Sequence, residues 1–278
     1  TPLGKPMILI FTVLMIITVS ELIWRTELVY RYRAIPGLDD DKLPTCSVIV
    51  PAYNEGPQVF KTLESITASD FPKRKFQIIA VDDGSQDDTW YWIQKAKQDL
   101  NGRIITIKLP ENQGKRHALN AGFKKSSGDV IVTIDSDSII EKNTIRNLVS
   151  PMITDRKVGA VAGNVRVLNK DKGFIPQMLD VVFVYSFDFV RSSQSMVNTV
   201  MCTPGALSAY KRSVVMRVLK EWLGQTFLGR AANIGEDRAL TNLILREGFK
   251  VLFQKNAVVY TEVPVTYTNL CKMFLRWN

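Results

Sequence analysis

The stretch DVIVTIDSDS, residues 129–138, runs an apolar segment into two carboxylates one residue apart, Asp135 and Asp137. Like charges this close repel, and a hard divalent cation bound by carboxylate oxygen relieves the repulsion. Mg2+ and Mn2+ share their coordination shell between one or two carboxylates and substrate phosphates, so the spacing fits a metal–phosphate site. Strand alternation would turn both acids to one side and Ser136 to the other. The plainer reading is an exposed acidic loop capping a helix that opens near Glu141.

Five further polar clusters carry residue types that could join such a site. VPAYNEG (50–56) follows one apolar run and VDDGSQDDT (81–89) another. In the latter, Asp82 and Asp83 before Gly84 make either an Asx-type acidic turn or a carboxylate aimed at a uracil imide or a ribose hydroxyl. ENQGKRHALNAG (111–122) places Lys115 and Arg116 at the opening of a helical pattern. There they could hold phosphate oxygens or simply be solvated, and His117 beside them reads as structural. NIGEDRALTNLILREG (233–248) puts Glu236 and Asp237 in the first turn of an amphipathic helix, where the macrodipole stabilises acids whether or not they act chemically. To work as a general base, Asp237 needs a desolvated setting that offsets the dipole. KMFLRWN (272–278) sets Arg276 beside Trp277, a pair equally at home at a membrane interface.

Something must bring these clusters together. Short β-type runs, CSVIVPA, FQIIAVDD, RIITIKL, DVIVTID and VGAVAGNV, alternate with helical stretches at 57–68, 87–99, 114–126 and 141–149. That rhythm predicts an α/β, Rossmann-like unit on a mainly parallel sheet, in which ligands bind at the carboxyl ends of the strands. The polar clusters fall at those ends. Neither GxGxxG nor GxxxxGK[ST] follows the first strand, which weighs against dehydrogenase and P-loop readings. Beyond residue 170 the sequence predicts a long core or membrane-surface helix over 174–197 and a strand at GALSAY. A helix over 211–223, a strand pair near 250–261 and a final amphipathic run follow.

Composition narrows the chemistry. The 278 residues carry a net charge of +9, favouring anionic partners, but the basic residues are dispersed and no nucleic-acid partner is expected. Three scattered cysteines give no disulfide framework and fit a reducing compartment, and the single histidine leaves most chemistry to carboxylates. PMILIFTVLMIITVSELIW (6–24) is long and apolar enough to read as one membrane span. Arg25, Arg31 and Arg33 follow it and only Lys5 precedes it, placing the remainder in the cytoplasm by the positive-inside rule.

Taken in order, PAYNEG, DDGS, GKR, DSD, CTPGALSAYKR, GEDR and RW resemble the family 2 glycosyltransferases of GT-A fold. The likeness is greatest to the processive membrane branch of hyaluronan, chitin-type and cellulose synthases, and it covers about 45–278. It implies a transmembrane segment over 1–24, an interfacial linker over 25–44 and a GT-A domain over 45–278. Further membrane helices would follow in the complete family member, supplied here by additional sequence or by partner subunits. The resemblance implies a UDP-sugar donor bound by Ala52, Tyr53, Glu55, Asp83, Lys115, Arg116, Asp135, Ser136 and Arg276. It makes Asp137 the chief ligand of Mn2+ or Mg2+, with Asp135 contacting ribose or the metal shell. Asp237 becomes the base, and Cys202, Gly205, Glu236 and Trp277 shape the acceptor site. The family's QxxRW motif has Gln where this chain has Met273.

The implied activity is inverting transfer of sugar from UDP to a hydroxyl of a growing β-linked polysaccharide at the cytoplasmic face of the cell membrane. One base opposite one leaving group suffices for a single displacement, unlike the paired carboxylates of a glycosidase. The competing expectations are transfer of one sugar to a lipid or lipid phosphate, and a membrane-tethered nucleotide-binding regulator without catalysis.

Overall fold

All seven residues of the run Cys46–Ala52 are buried, and this strand, β1, sits inside an eight-stranded sheet of order β3-β2-β1-β4-β7-β6-β10-β5 in the computed structural model. The structure describes residues 4–100, 104–227, 230–231 and 235–277. β2 (Phe76–Asp82), β3 (Ile104–Lys108) and β4 (Val130–Ile134) run parallel with β1. Strands covered on both faces read as unbroken apolar runs, which is why the sequence marks them so plainly.

The helices α2 (Gln58–Thr67), α3 (Thr89–Asp99), α4 (Lys115–Lys125) and α5 (Thr144–Thr154) connect or flank these strands, with α4 packed on β1 and β2. β5 (Ser138–Ile140) and β6 (Val158–Val167) follow, and β7 (Leu207–Lys211) lies antiparallel between β4 and β6. Four strand pairings are parallel and three antiparallel, so the sheet is mixed. The antiparallel run of β7 has a direct consequence: its N-terminal end arrives at the edge where β1, β2 and β4 deliver their C-terminal ends.

The stretch expected as one helix over 174–197 is helical from Phe174 to Met196 but not uniform. Helix α6 (Phe174–Val184) passes into a π-turn over Tyr185–Arg191 and resumes as α7 (Ser192–Met196). One side of α6 buries Pro176, Leu179 and Phe183, while Phe174, Val181, Val182, Val184 and Tyr185 are exposed. α8 (Arg212–Leu223), a two-stranded ribbon of β8 (Thr226–Phe227) and β9 (Arg230–Ala231), and α9 (Glu236–Arg246) lead to β10 (Lys250–Thr261). The expected strand pair near 250–261 is instead one strand, β10, parallel to β6 with a register shift between Phe253 and Val258. At the shift the strand is tied to distant chain: Gln254 hydrogen-bonds the Ile35 backbone and the Asn147 carbonyl, and the Asn256 carbonyl accepts from the Asn147 side chain. The chain ends in α10 (Tyr267–Trp277), where Met273 is buried in the core.

The N-terminal helix α1 runs over Gly4–Arg31, and its apolar window is wholly unburied, so by length and composition it is a candidate membrane span over Pro6–Arg31. The helix therefore extends past residue 24, supported by the i,i+4 pairs Arg25–Glu21 and Arg31–Glu27. Residues 32–38 then dock on the α/β body: Tyr32 donates to the Phe253 carbonyl at 2.8 Å, and Leu38 N–H donates to Ser150 at 3.0 Å.

Candidate active site

Four loops converge at the common strand edge: 53–57 after β1, 83–88 after β2, 109–114 after β3 and 135–137 after β4. The first two are sewn together. Thr89 Oγ1 accepts the backbone N–H groups of Glu55 and Gly56 at 2.8 and 2.9 Å, and Asn54 exchanges hydrogen bonds with Ser85 and Gln86 at 3.0 and 2.9 Å. Asn54 takes a left-handed φ of 53°, a conformation asparagine tolerates better than most residues. Ala52 is buried beneath this loop, and Tyr53 is exposed above it.

Asp83 joins the second loop to the third. Its carboxylate accepts the N–H of Gln113 at 3.2 Å and of Gly114 at 2.9 Å, and only 3% of the residue is exposed. Burial raises its pKa against the lowering effect of those two donors. Asp82 turns back on its own loop and accepts from Ser85 N–H at 2.9 Å, leaving Oδ2 buried without a partner. Gly84, at φ +70°, sits where a Cβ would come within 2.4 Å of the Glu111 backbone. Close passage of the two loops therefore depends on glycine at that position.

β4 ends at Ile134, so residues 135–137 form a turn, closed by Ser138 N–H to the Asp135 carbonyl at 3.1 Å. The strand alternation expected for Asp135, Ser136 and Asp137 does not extend through this turn. Ser136 is buried and hydrogen-bonds toward Glu55, while the charges of Asp137 and Asp135 both act on Glu55. Glu55 is pushed upward in pKa by burial first and by Asp137 next; Asp137 is pushed upward by burial and then by Asp135. Three acids thus face one another across the first and fourth loops.

The opposite wall comes from α4, β7 and α9. The Lys115 ammonium touches the Asp135 carboxylate and lies 3.7 Å from Glu236. Gly205, in the loop before β7, backs onto the same pair, with Asp135 Oδ2 3.5 Å from where a Cβ would stand. Asp237 follows Glu236 at the start of α9, behind Gly235 at φ +76°, and its electrostatic influence reaches Lys115, Cys202 and Tyr210. Burial and the Asp237 charge raise the Cys202 thiol to about 11, so it remains protonated at neutral pH.

Arg116 stands apart. It is 4% exposed, donates to the Trp222 carbonyl at 2.7 Å and packs 5.2 Å from the centre of the Trp222 ring. Its guanidinium points into the contact between α4 and α8. Arg276 and Trp277 lie in the last turn of α10, with their side chains outside the described residues. Sequence reading missed Thr89 and Arg191, and it missed the buried hydroxyl group of Thr203, Thr241 and Tyr210 under Asp237.

Among the described residues no cluster of three His, Cys, Asp or Glu side chains forms a ready-made metal cage. Asp135 and Asp137 nonetheless fit a hard divalent cation. They offer carboxylate oxygen, their mutual repulsion raises Asp137, and an ion of the Mg2+ type takes its remaining ligands from substrate phosphates and water.

Residues 47–219 match the family described as glycosyl transferase family 2. The chain belongs to that family. This family 2 glycosyltransferase is 34% identical over 247 residues to an N-acetylglucosaminyltransferase of Azorhizobium caulinodans, covering 87% of this chain and 62% of the relative. A Rhizobium meliloti N-acetylglucosaminyltransferase is 36% identical over 84% of the chain and 55% of its own length. A hyaluronan synthase of Streptococcus pyogenes is 30% identical over 95% and 62%. The chain therefore spans a little over half the length of these relatives.

Among solved structures, the mannosyltransferase PcManGT from Pyrobaculum calidifontis, in complex with GDP-Man and Mn2+, superposes with a TM-score of 0.67. The match has 24% identity and covers 91% of this chain and 68% of that one. S. aureus TarS 1–349 in complex with UDP-GlcNAc superposes with a TM-score of 0.58 at 19% identity, over 80% and 59%. These likenesses establish the GT-A fold for this member of glycosyl transferase family 2.

Proposed function

We propose that this enzyme transfers N-acetylglucosamine from its UDP-sugar, with inversion, to a hydroxyl of a growing β-linked chain at the cytoplasmic face of a membrane. The observation that carries the reading is the convergence at one strand edge of Asp83, Lys115, the pair Asp135 and Asp137, and the pair Glu236 and Asp237, contributed by four separate parts of the sequence and linked through Lys115 and the Asp83–Gly114 hydrogen bond. The likeness to two N-acetylglucosaminyltransferases supports the sugar, and the unburied helix α1 supports the membrane.

Each wall has a part. Tyr53, Glu55 and Asp83 line the nucleoside side, where the buried Asp83 keeps loops 83–88 and 109–114 in register for the base and ribose. Asp135 and Asp137 would hold Mn2+ or Mg2+, which when bound supplies Lewis-acid neutralisation of the diphosphate. Lys115 brings positive charge to the same diphosphate from the other side. Asp237 accepts the proton of the acceptor hydroxyl as that oxygen attacks the anomeric carbon in line with the departing UDP. Cys202, Gly205, Glu236 and Trp277 form the acceptor side, and Arg276 braces the diphosphate. The domain performing this work is residues 45–278, with α1 as its anchor.

The test is UDP release and product size from the full chain in vesicles, given a panel of UDP-sugars with Mn2+ or Mg2+. Turnover confined to UDP-N-acetylglucosamine and lost in EDTA is expected. Turnover with no donor, or equal turnover in EDTA, overturns the reading.

A further inference from the structure

The π-turn Tyr185–Arg191 interrupts an otherwise α-helical stretch, and such insertions re-aim side chains and recur at functional positions. Two charged residues leave it in different directions. Asp188 accepts two hydrogen bonds from Arg166 on β6, at 2.7 and 2.8 Å, and lies 3.7 Å from Lys255 on β10, which fastens the turn to the sheet. Arg191 points the other way, toward the loop that precedes β7.

Among the described residues Arg191 has no carboxylate within ion-pair distance. Its guanidinium lies 4.0 Å over the Phe187 ring and donates through Nε to the Cys202 carbonyl at 3.3 Å and through Nη1 to the Ser186 carbonyl at 3.2 Å. Placing a cation here is costly, since burial disfavours its charged form, and the anionic group that favours it most directly from α9 is Asp237.

Cys202 is the first residue of a chain of contacts that ends on Asp237. The next residue, Thr203, is fully buried, donates its N–H to Thr241 at 3.1 Å and shares hydroxyl hydrogen bonds of 2.8 Å with Thr241 and Tyr210. Thr241 in turn donates to the Asp237 carbonyl at 2.7 Å. The loop Cys202–Pro204 is therefore clamped on one side by Arg191 and on the other by Thr241 of α9, which ties it to the Asp237 carbonyl.

We propose that Arg191 is a positioning residue for the acceptor: by holding the Cys202 carbonyl it fixes the loop 202–204 against α9, so that the acceptor hydroxyl meets Asp237 rather than leaving room for water. This rests on the function proposed above. Among the described residues Arg191 hydrogen-bonds only the Cys202 and Ser186 carbonyls and none of the donor-side loops 53–57, 83–88 and 135–137.

The test uses the full chain in vesicles with UDP-N-acetylglucosamine, Mn2+ and an N-acetylglucosamine oligomer as acceptor, measuring total UDP release and transfer to the oligomer in parallel. For R191A the acceptor KM is expected to rise about tenfold and the ratio of transfer to hydrolysis to fall about tenfold, the loss of one charge-assisted hydrogen bond, with the donor KM unchanged. R191K, which keeps a charged donor for the Cys202 carbonyl, is expected to regain part of the ratio, and R191Q is read in the same way if R191A does not fold. An unchanged ratio and acceptor KM overturn the inference, as does a loss of donor binding with the ratio intact. Absence of transfer by the wild-type chain would instead remove the functional reading beneath it.

Discussion

The Lys115 ammonium at the start of α4 lies against the Asp135 carboxylate and within 3.7 Å of Glu236 at the start of α9. One cation thus joins the acid at the end of β4 to the acids that open α9. Burial alone would lower the lysine pKa, but the charges of Asp135, Glu236 and Asp237 together outweigh it and hold the ammonium above its ordinary value. Lys115→Met removes the positive wall of the cleft and leaves these acids to repel one another. UDP binding is expected to weaken about tenfold, the scale of one charge-assisted contact, as measured by titration calorimetry. Unchanged affinity would mean that Lys115 serves only to hold the loops together.

Asp137 and Glu55 both sit above their ordinary pKa values, burial being the larger cause in each. The native state then binds their protons more tightly than the unfolded chain does. Their contribution to stability is complete below the unfolded carboxylate values, at about pH 4, and is lost as pH rises through the raised native values. Metal-free protein at neutral pH carries this strain, so Asp137→Asn is expected to raise its Tm. Added Mn2+ is expected to stabilise the wild type and not the variant. A lower Tm for the metal-free variant would contradict this account.

Arg116 serves the contact between α4 and α8, where it donates to the Trp222 carbonyl and stacks on the Trp222 ring. Arg116→Ala is expected to cost about 2 kcal/mol of stability in denaturant unfolding, through a lost buried hydrogen bond to a charged group and lost packing. UDP affinity of the folded variant should stay at the wild-type value. Normal stability with weakened UDP binding would place Arg116 functionally in the cleft after all.

Most strands and the places where the chemistry gathers could be read directly from sequence, because strands buried on both faces are apolar runs and their C-terminal ends carry the polar clusters. Arg116 shows why side-chain direction could not. It is adjacent to Lys115 on a helix, where successive residues point about 100° apart, so one faces the cleft and the other the interior. The single strand β10 differs from the strand pair expected near 250–261 because the polar residues Gln254 and Asn256 interrupt its apolar pattern at the register shift, and their partners Ile35 and Asn147 lie over a hundred residues away. The π-turn leaves no periodic signal of its own, and Arg191 gains meaning only when the loop at Cys202 is folded beside it.

Asp237→Asn tests the central claim most directly, since it removes the proposed base and keeps the shape of the first turn of α9. Transfer of labelled N-acetylglucosamine from its UDP-sugar to an oligosaccharide acceptor would be followed for wild type and variant side by side, with UDP binding measured on the same samples. The account predicts that transfer falls by about a thousandfold or more while UDP binding is retained, in line with the worth of a positioned general base. Transfer by the variant within about tenfold of wild type would contradict it.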